Sequence, residues 1–164
     1  MIKVLLRAID KISTPKTIYA HCDIPCGIYD PHLAQVAAHT VIRMTALINE
    51  LPDEDSKDRE HKLARYTLVK EEHAELVKKE VRVIWGDYFK PEHLERYPKL
   101  HSLVFEIMKL SSKVRQEINP EASEQLLAKV QDFTEIFWET KGVKPTKAPS
   151  NYPSGGEIVL PTKG

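Results

Sequence analysis

The chain has 164 residues, 41% of them hydrophobic and 29% charged, and its 24 Lys plus Arg are balanced by 24 Asp plus Glu. That length supports one domain with a substantial core, and the even charge lacks the basic excess of a duplex-binding domain, so no nucleic-acid partner is expected. No apolar run approaches the roughly 20 residues needed to cross a bilayer, and no membrane span is expected either.

Residues 1–20 read as a removable leader. They carry four bases (Lys3, Arg7, Lys11, Lys16) against one acid, Asp10, and without them 20 bases face 23 acids, a net charge of −3. Attraction for an anion must then come from local charge. Arg7 interrupts the apolar stretch Val4-Leu5-Leu6, well short of the roughly 7–15 apolar residues of a secretory signal. The leader therefore reads as a processing segment and the protein as cytoplasmic, with export the lesser alternative. Ala20 suits a cleavage site before His21.

Residues 21–29 have turn chemistry, with Pro25 and Gly27 and no helical period. Asp30-Pro31 then signals a helix start, an Asp to cap and a Pro for the first position. Leu33, Val36, Ala37, Thr40, Val41, Met44, Leu47, Ile48 and Leu51 follow at spacings of three and four, and Pro52 ends the stripe. Ser56 or a neighbouring Asp opens a second helix to about Tyr88. Its stripe, Leu63, Tyr66, Val69, Leu76, Val83 and Ile84, is interrupted by His73 and Glu80, and buried polar residues need partners. Pro91 breaks the pattern and Pro98 lies near the start of a third helix with Leu100, Leu103, Val104, Ile107, Met108 and Val114 on one side. Asn119-Pro120 repeats the cap-then-proline start, and Leu126, Leu127, Val130, Phe133, Phe137 and Trp138 line a fourth helix to about Lys141.

With no strand-period segment, this pattern predicts an all-α fold, an antiparallel up-and-down four-helix bundle over 30–142 preceded by a metal-binding hook at 21–29. Residues 143–164, rich in Pro, Gly and Lys, read as a mobile tail in which Glu157 to Leu160 forms a short apolar spot able to dock. Trp85 and Trp138 read as core. His32, His61, His93 and His101 read as solvated or satisfied surface residues, and the charged runs Lys70-Glu71-Glu72 and Lys78-Lys79-Glu80 as a solvated face.

The chemistry is concentrated in His21-Cys22-Asp23-Ile24-Pro25-Cys26. The two cysteines are the only ones in the chain and close too small a loop to act as a structural staple. Thiolate and imidazole suit zinc, copper or nickel. Cleavage before His21 would free an amine one chelate ring from the Cys22 amide nitrogen and two from the Cys22 sulfur. Cys26 supplies a fourth donor and the His21 ring an axial one. Such a planar nitrogen–sulfur set disfavours tetrahedral zinc and favours divalent nickel or copper. Its electron-rich amidate and thiolates also favour the trivalent state of nickel, and binding should weaken as pH falls, because the metal must displace protons. Pro25, through a cis bond from Ile24 or otherwise, and Gly27 provide the reversal that brings Cys26 back. Tyr29 is placed to set a phenol at the open face.

The run His-Cys-Asp-x-Pro-Cys-Gly-x-Tyr-Asp-Pro resembles the nickel hook of nickel superoxide dismutases. The likeness continues in Trp85-Gly86-Asp87-Tyr88-Phe89-Lys90-Pro91, in Tyr97-Pro98-Lys99-Leu100-His101 and in Ile136-Phe137-Trp138-Glu139-Thr140-Lys141, covering about Ile18 to Gly142. The resemblance implies nickel as cofactor, bound by the amine and ring of His21, the amide nitrogen and sulfur of Cys22, and the sulfur of Cys26. It further implies that Asp23 and Pro25 shape the hook, that Tyr29 with Tyr88 behind it lines the approach of superoxide as the catalytic pair, that a protease removes the leader, and that the bundle assembles as a homohexamer. One departure stands out. Where well-known members have a helix 1 glutamate supporting the axial histidine, this chain has Ala37, and a helix 2 arginine of the same network aligns with His73. His39 and His73 are therefore the candidates for that support, or else bundle packing. Two other functions fit the residues alone: a nickel or copper carrier using the hook without turnover, and a helical interaction module whose cysteines form a redox-sensitive disulfide.

Overall fold

The structure, a computed structural model, describes residues 27–162. Four long helices dominate it: α1 (His32–Asn49), α2 (Lys57–Val83), α4 (Leu100–Gln116) and α5 (Pro120–Thr140). Each packs on the next in chain order and α5 closes on α1, so the ring is the expected four-helix bundle. The expected helix starts are present at α2 and α5, where Ser56 accepts from Arg59 at 3.2 Å and Asn119 from Ala122 at 2.9 Å, just ahead of Pro120. At α1 the start is one residue later than expected: Pro31 takes the cap position, and Asp30, just before it, accepts from the His32 N–H at 2.8 Å.

The α4 and α5 stripes match the core, with Leu100, Ile107, Val114, Leu126, Val130, Phe133 and Phe137 buried. The α1 and α2 stripes are rotated from expectation. On α1 the buried line is Ala34, Ala37, Ala38, Val41, Thr45 and Ile48, while Leu33 is 45% exposed. Alanines, which let helices approach closely, take the core positions that the larger apolar residues were expected to fill. On α2 the buried line is Lys70, Ala74, Val77 and Val81. His73 and Glu80 lie beside that line and do not interrupt it.

Lys70 corrects the reading of its charged run as a solvated face. It is 2% exposed, and its Nζ donates to the carbonyls of Val114 and Glu117 at the end of α4. A charged donor there satisfies carbonyls that a helix leaves without partners and complements its dipole. Lys78 likewise donates to Ser112 Oγ at 2.7 Å.

The α-helical part of α2 ends at Val83, and a π-helical turn, Ile84–Tyr88, completes it. The wider turn changes the angle at which successive side chains leave the helix. Trp85, expected in the core, is 37% exposed, and its indole donates to His101 Nδ1 at 3.0 Å. Tyr88 turns inward instead. A short helix, α3 (Pro91–Arg96), follows and leads into α4.

The largest departure lies beyond the bundle. The expected mobile tail contains an antiparallel hairpin of β1 (Pro145–Pro149) and β2 (Glu157–Pro161), so strand structure is present after all. Ile158 and Val159 are buried. On β1 the positions pairing with Glu157, Val159 and Pro161 are Pro149, Lys147 and Pro145. Two of these lack an amide hydrogen, and Lys147 bonds Glu135 on α5 at 3.2 Å, so the free edge is poorly suited to further pairing. The other edge is covered by side chains of the bundle. Gln35 accepts from the Val159 N–H at 2.8 Å and donates to its carbonyl at 3.0 Å. Gln131 donates to the Glu157 carbonyl at 2.7 Å. The apolar spot at 157–160 docks because α1 and α5 offer polar partners for its backbone.

Candidate metal centre

His21, Cys22, Asp23, Pro25 and Cys26, with the Ile24–Pro25 bond, lie outside the described residues; Gly27, Tyr29, Tyr88, His39 and His73 lie within them. Gly27 has φ +70°, and a Cβ there would meet nothing within 4 Å among the described residues. Glycine is thus favoured here by the left-handed backbone and not by lack of room. It turns the chain ahead of Asp30 and Pro31, which lead into α1.

Tyr29 and Tyr88 come together, their ring centroids 5.7 Å apart. Tyr88 also packs on Phe137 at 4.8 Å and stacks on His93 at 5.6 Å with only 20° between the planes. The hydroxyl of Thr140 donates to the Phe137 carbonyl at 2.7 Å. The 2.8 Å contact between Tyr88 and Thr140 must therefore be a bond that Tyr88 donates. Lys141 holds its ammonium 5.4 Å from the Tyr88 ring centroid and 5.0 Å from that of Phe137, an arrangement favoured by the ring quadrupoles.

His93 was expected to be a surface residue. It is half-buried, its Nδ1 accepts from the Lys90 N–H at 3.2 Å, and it forms one wall of the aromatic cluster. Thr140, Lys141 and Phe137 belong to a motif legible in the sequence, Phe-Trp-Glu-Thr-Lys, but nothing in that motif alone points toward Tyr88. The π turn aims the tyrosine at them.

The two histidines proposed to support the axial ring behave differently. His39 is 3% exposed, and both of its ring nitrogens are engaged: Nε2 donates to the Glu157 carbonyl at 3.0 Å and Nδ1 meets Ser154 Oγ at 2.9 Å. Burial lowers its pKa from the usual histidine value, opposed by the bond to Glu157. His73 is half-buried, and its Nδ1 donates to the Val69 carbonyl one turn back at 2.8 Å.

The family model for nickel-containing superoxide dismutase matches residues 16–141. The chain belongs to this family. Its curated relatives include the Superoxide dismutase [Ni] of Streptomyces coelicolor, 40% identical over 134 residues that make up 81% of this chain and 98% of the relative. That of Streptomyces seoulensis is 39% identical over the same shares. Among solved structures, a native nickel superoxide dismutase superposes with TM-score 0.66 and 40% identity, covering 74% of this chain and 99% of that one. A Ni-containing superoxide dismutase whose ligation corresponds to the oxidised state gives TM-score 0.67 and 39% identity over the same shares. Nickel is the family's metal, and the donors in this chain suit it: two thiols and an imidazole within six residues, followed at once by the turn at Gly27. The hairpin, 145–161, lies past the last residue that the family model matches.

Proposed function

We propose that this chain, once cut before His21, disproportionates superoxide, so that two superoxide anions and two protons become dioxygen and hydrogen peroxide. The observation that carries the reading is the unbroken hook sequence, His21 to Tyr29, whose last residue, Tyr29, meets Tyr88. His21, Cys22 and Cys26 would hold the nickel, with Asp23 and Pro25 shaping the segment. The metal supplies a one-electron couple between its divalent and trivalent states, which electron-rich sulfur and amide donors bring into the range superoxide requires.

The chain's own residues do the rest. Tyr29 and Tyr88 form an aromatic approach that admits a small anion and excludes bulkier ligands. Tyr88 is fixed by Thr140 and His93, and its phenol oxygen keeps lone pairs for ordering water. Lys141, its ammonium 5.4 Å from the Tyr88 ring centroid, supplies local positive charge there on a mature chain with three excess acids. Both His39 nitrogens serve the hairpin, so His73 is the better candidate for supporting the His21 ring, in place of the helix 1 glutamate that Ala37 replaces.

The same reading includes a leader protease, assembly of the bundle as a homohexamer and residence in the cytoplasm. Among the described residues, no helix is long and apolar enough to cross a membrane. The decisive experiment compares protein beginning at His21 with protein beginning at Met1. The mature form should bind one nickel per chain, show a low-spin trivalent nickel resonance and consume superoxide. The precursor should do none of these, because its His21 nitrogen is an amide. An active precursor, or mature protein that carries readily exchanged nickel without turnover, overturns the proposal.

A further inference from the structure

The hairpin lies outside the family match, yet three buried or nearly buried polar side chains of the bundle are committed to it. Gln35 is 1% exposed, His39 3% and Gln131 8%, and each bonds the β2 backbone. Polar groups at such depth are costly unless satisfied. The bundle surface is therefore built to receive the hairpin.

The pattern of these bonds fixes how β2 lies. Val159 bonds Gln35, whereas Glu157 bonds His39. Four residues of helix rise about 6 Å and two residues of strand about 6.7 Å, so β2 runs alongside α1 in the opposite direction at matched pace. Continued at that pace for two more residues, Pro161 would come level with Pro31, the buried residue just ahead of α1. The strand thus follows α1 back to the point where the hook joins the bundle, and Gln131 ties the same strand to α5.

We propose that the C-terminal hairpin is a strap that holds the first two turns of α1, and through them the root of the metal hook, with Gln35 as the positioning residue. This rests on the reading of 21–29 as a nickel hook. Gln35 is suited to the task because its amide presents one donor and one acceptor to a single residue, as a neighbouring strand would. A helix end held on one side only by the bundle opens locally more readily than one also clasped from outside. Metal retention at a site carried on that end follows the same opening.

The test uses the full mature chain from His21 with Gln35→Met, which keeps side-chain bulk and removes both bonds to Val159. In the metal-free protein, amide exchange should speed about tenfold over 32–40 and stay unchanged over 103–114, the expected effect of losing two buried hydrogen bonds. In the nickel-loaded protein, loss of metal to a chelator should be about tenfold faster, with a broadened trivalent nickel resonance. Mature chain ending at Val143 should reproduce both changes. Equal loss of protection in α1 and α4 would indicate a general loosening and overturn the proposal. So would faster α1 exchange with nickel retention and resonance unaltered. Wild-type protein that binds no nickel would instead refute the functional reading, while the exchange data still decide whether the strap exists.

Discussion

Tyr88 donates its phenolic hydrogen to Thr140 across 2.8 Å, and Thr140 passes its own to the carbonyl of Phe137. The chain of donors has one direction, so the tyrosine at the proposed substrate approach cannot turn without leaving a half-buried hydroxyl without a partner. Thr140→Val and Tyr88→Phe should each cost about 1 kcal/mol of stability, and the double variant should cost distinctly less than the sum. Thr140→Val should also lower kcat/KM a few-fold by freeing Tyr88 to move, in the manner of a misplaced positioning group. A double-mutant cycle from denaturant unfolding checks the first part. Strict additivity would mean that the bond contributes nothing.

Lys141 stands over the two aromatic rings next to that hydrogen-bond chain. If it guides superoxide, Lys141→Met should reduce kcat/KM a few-fold at low ionic strength and Lys141→Glu about tenfold. Both differences should shrink at physiological salt, where the screening length is about 8 Å. Rapid-mixing assays across a salt series distinguish this from a packing role. Loss of the cation–π contact alone would lower activity by the same factor at every salt concentration.

Much of this architecture is legible in the sequence, and the parts that are not share a physical cause. The caps at Ser56 and Asn119, the Asp30 turn that leads into α1 and the stripes of α4 and α5 follow from local rules that packing leaves in place. The α1 and α2 faces do not, because periodicity weighs Leu33 and Leu63 above Ala34 and Lys70, and only the neighbouring helices decide which line is buried. Lys70 becomes a core residue because two carbonyls of α4 stand within reach, a fact forty residues away in the chain. The hairpin escapes notice because its strands carry no long alternation; their backbone is satisfied by Gln35, His39 and Gln131, which resemble ordinary polar helix residues. At the site, the hook motif points to nickel, whereas the partners of Tyr88 depend on a π turn that no propensity announces.

Lys70 gives a stability prediction with a definite pH dependence. Desolvation lowers its pKa from the usual lysine value, with the nearby Glu71 opposing that shift. The native state therefore binds this proton less tightly than the unfolded chain does. Its contribution to stability should rise as pH climbs toward the unfolded lysine value of about 10.5 and be least favourable at pH below the native pKa. Lys70→Ala should lack this rise. At neutral pH it should lose about 3 kcal/mol, through the emptied volume and the unsatisfied end of α4. Unfolding measured at several pH values checks both parts, and a variant as stable as wild type at neutrality would mean that the charge costs as much as its bonds return.

His39 should make the docked hairpin sensitive to acid. Its Nε2 carries the hydrogen given to Glu157, because a carbonyl only accepts, so in the neutral ring Nδ1 accepts from Ser154. Protonation would place a cation beneath the hairpin, beside Tyr152 with ring centroids 5.2 Å apart and in a cleft shared with Arg43, with no carboxylate bonded to either ring nitrogen. Desolvation accordingly holds the native pKa below the ordinary 6.5, the Glu157 carbonyl only partly offsetting it. The docking contribution of His39 is complete above about pH 6.5 and is lost as pH falls from there through the lower native value. Exchange protection of the Val159 amide should fall over that interval in wild type, while in His39→Gln it should be weaker at neutrality and flat with pH. Wild-type protection that stays constant from pH 7 to below 5 would show that the ring takes up its proton without disturbing the hairpin.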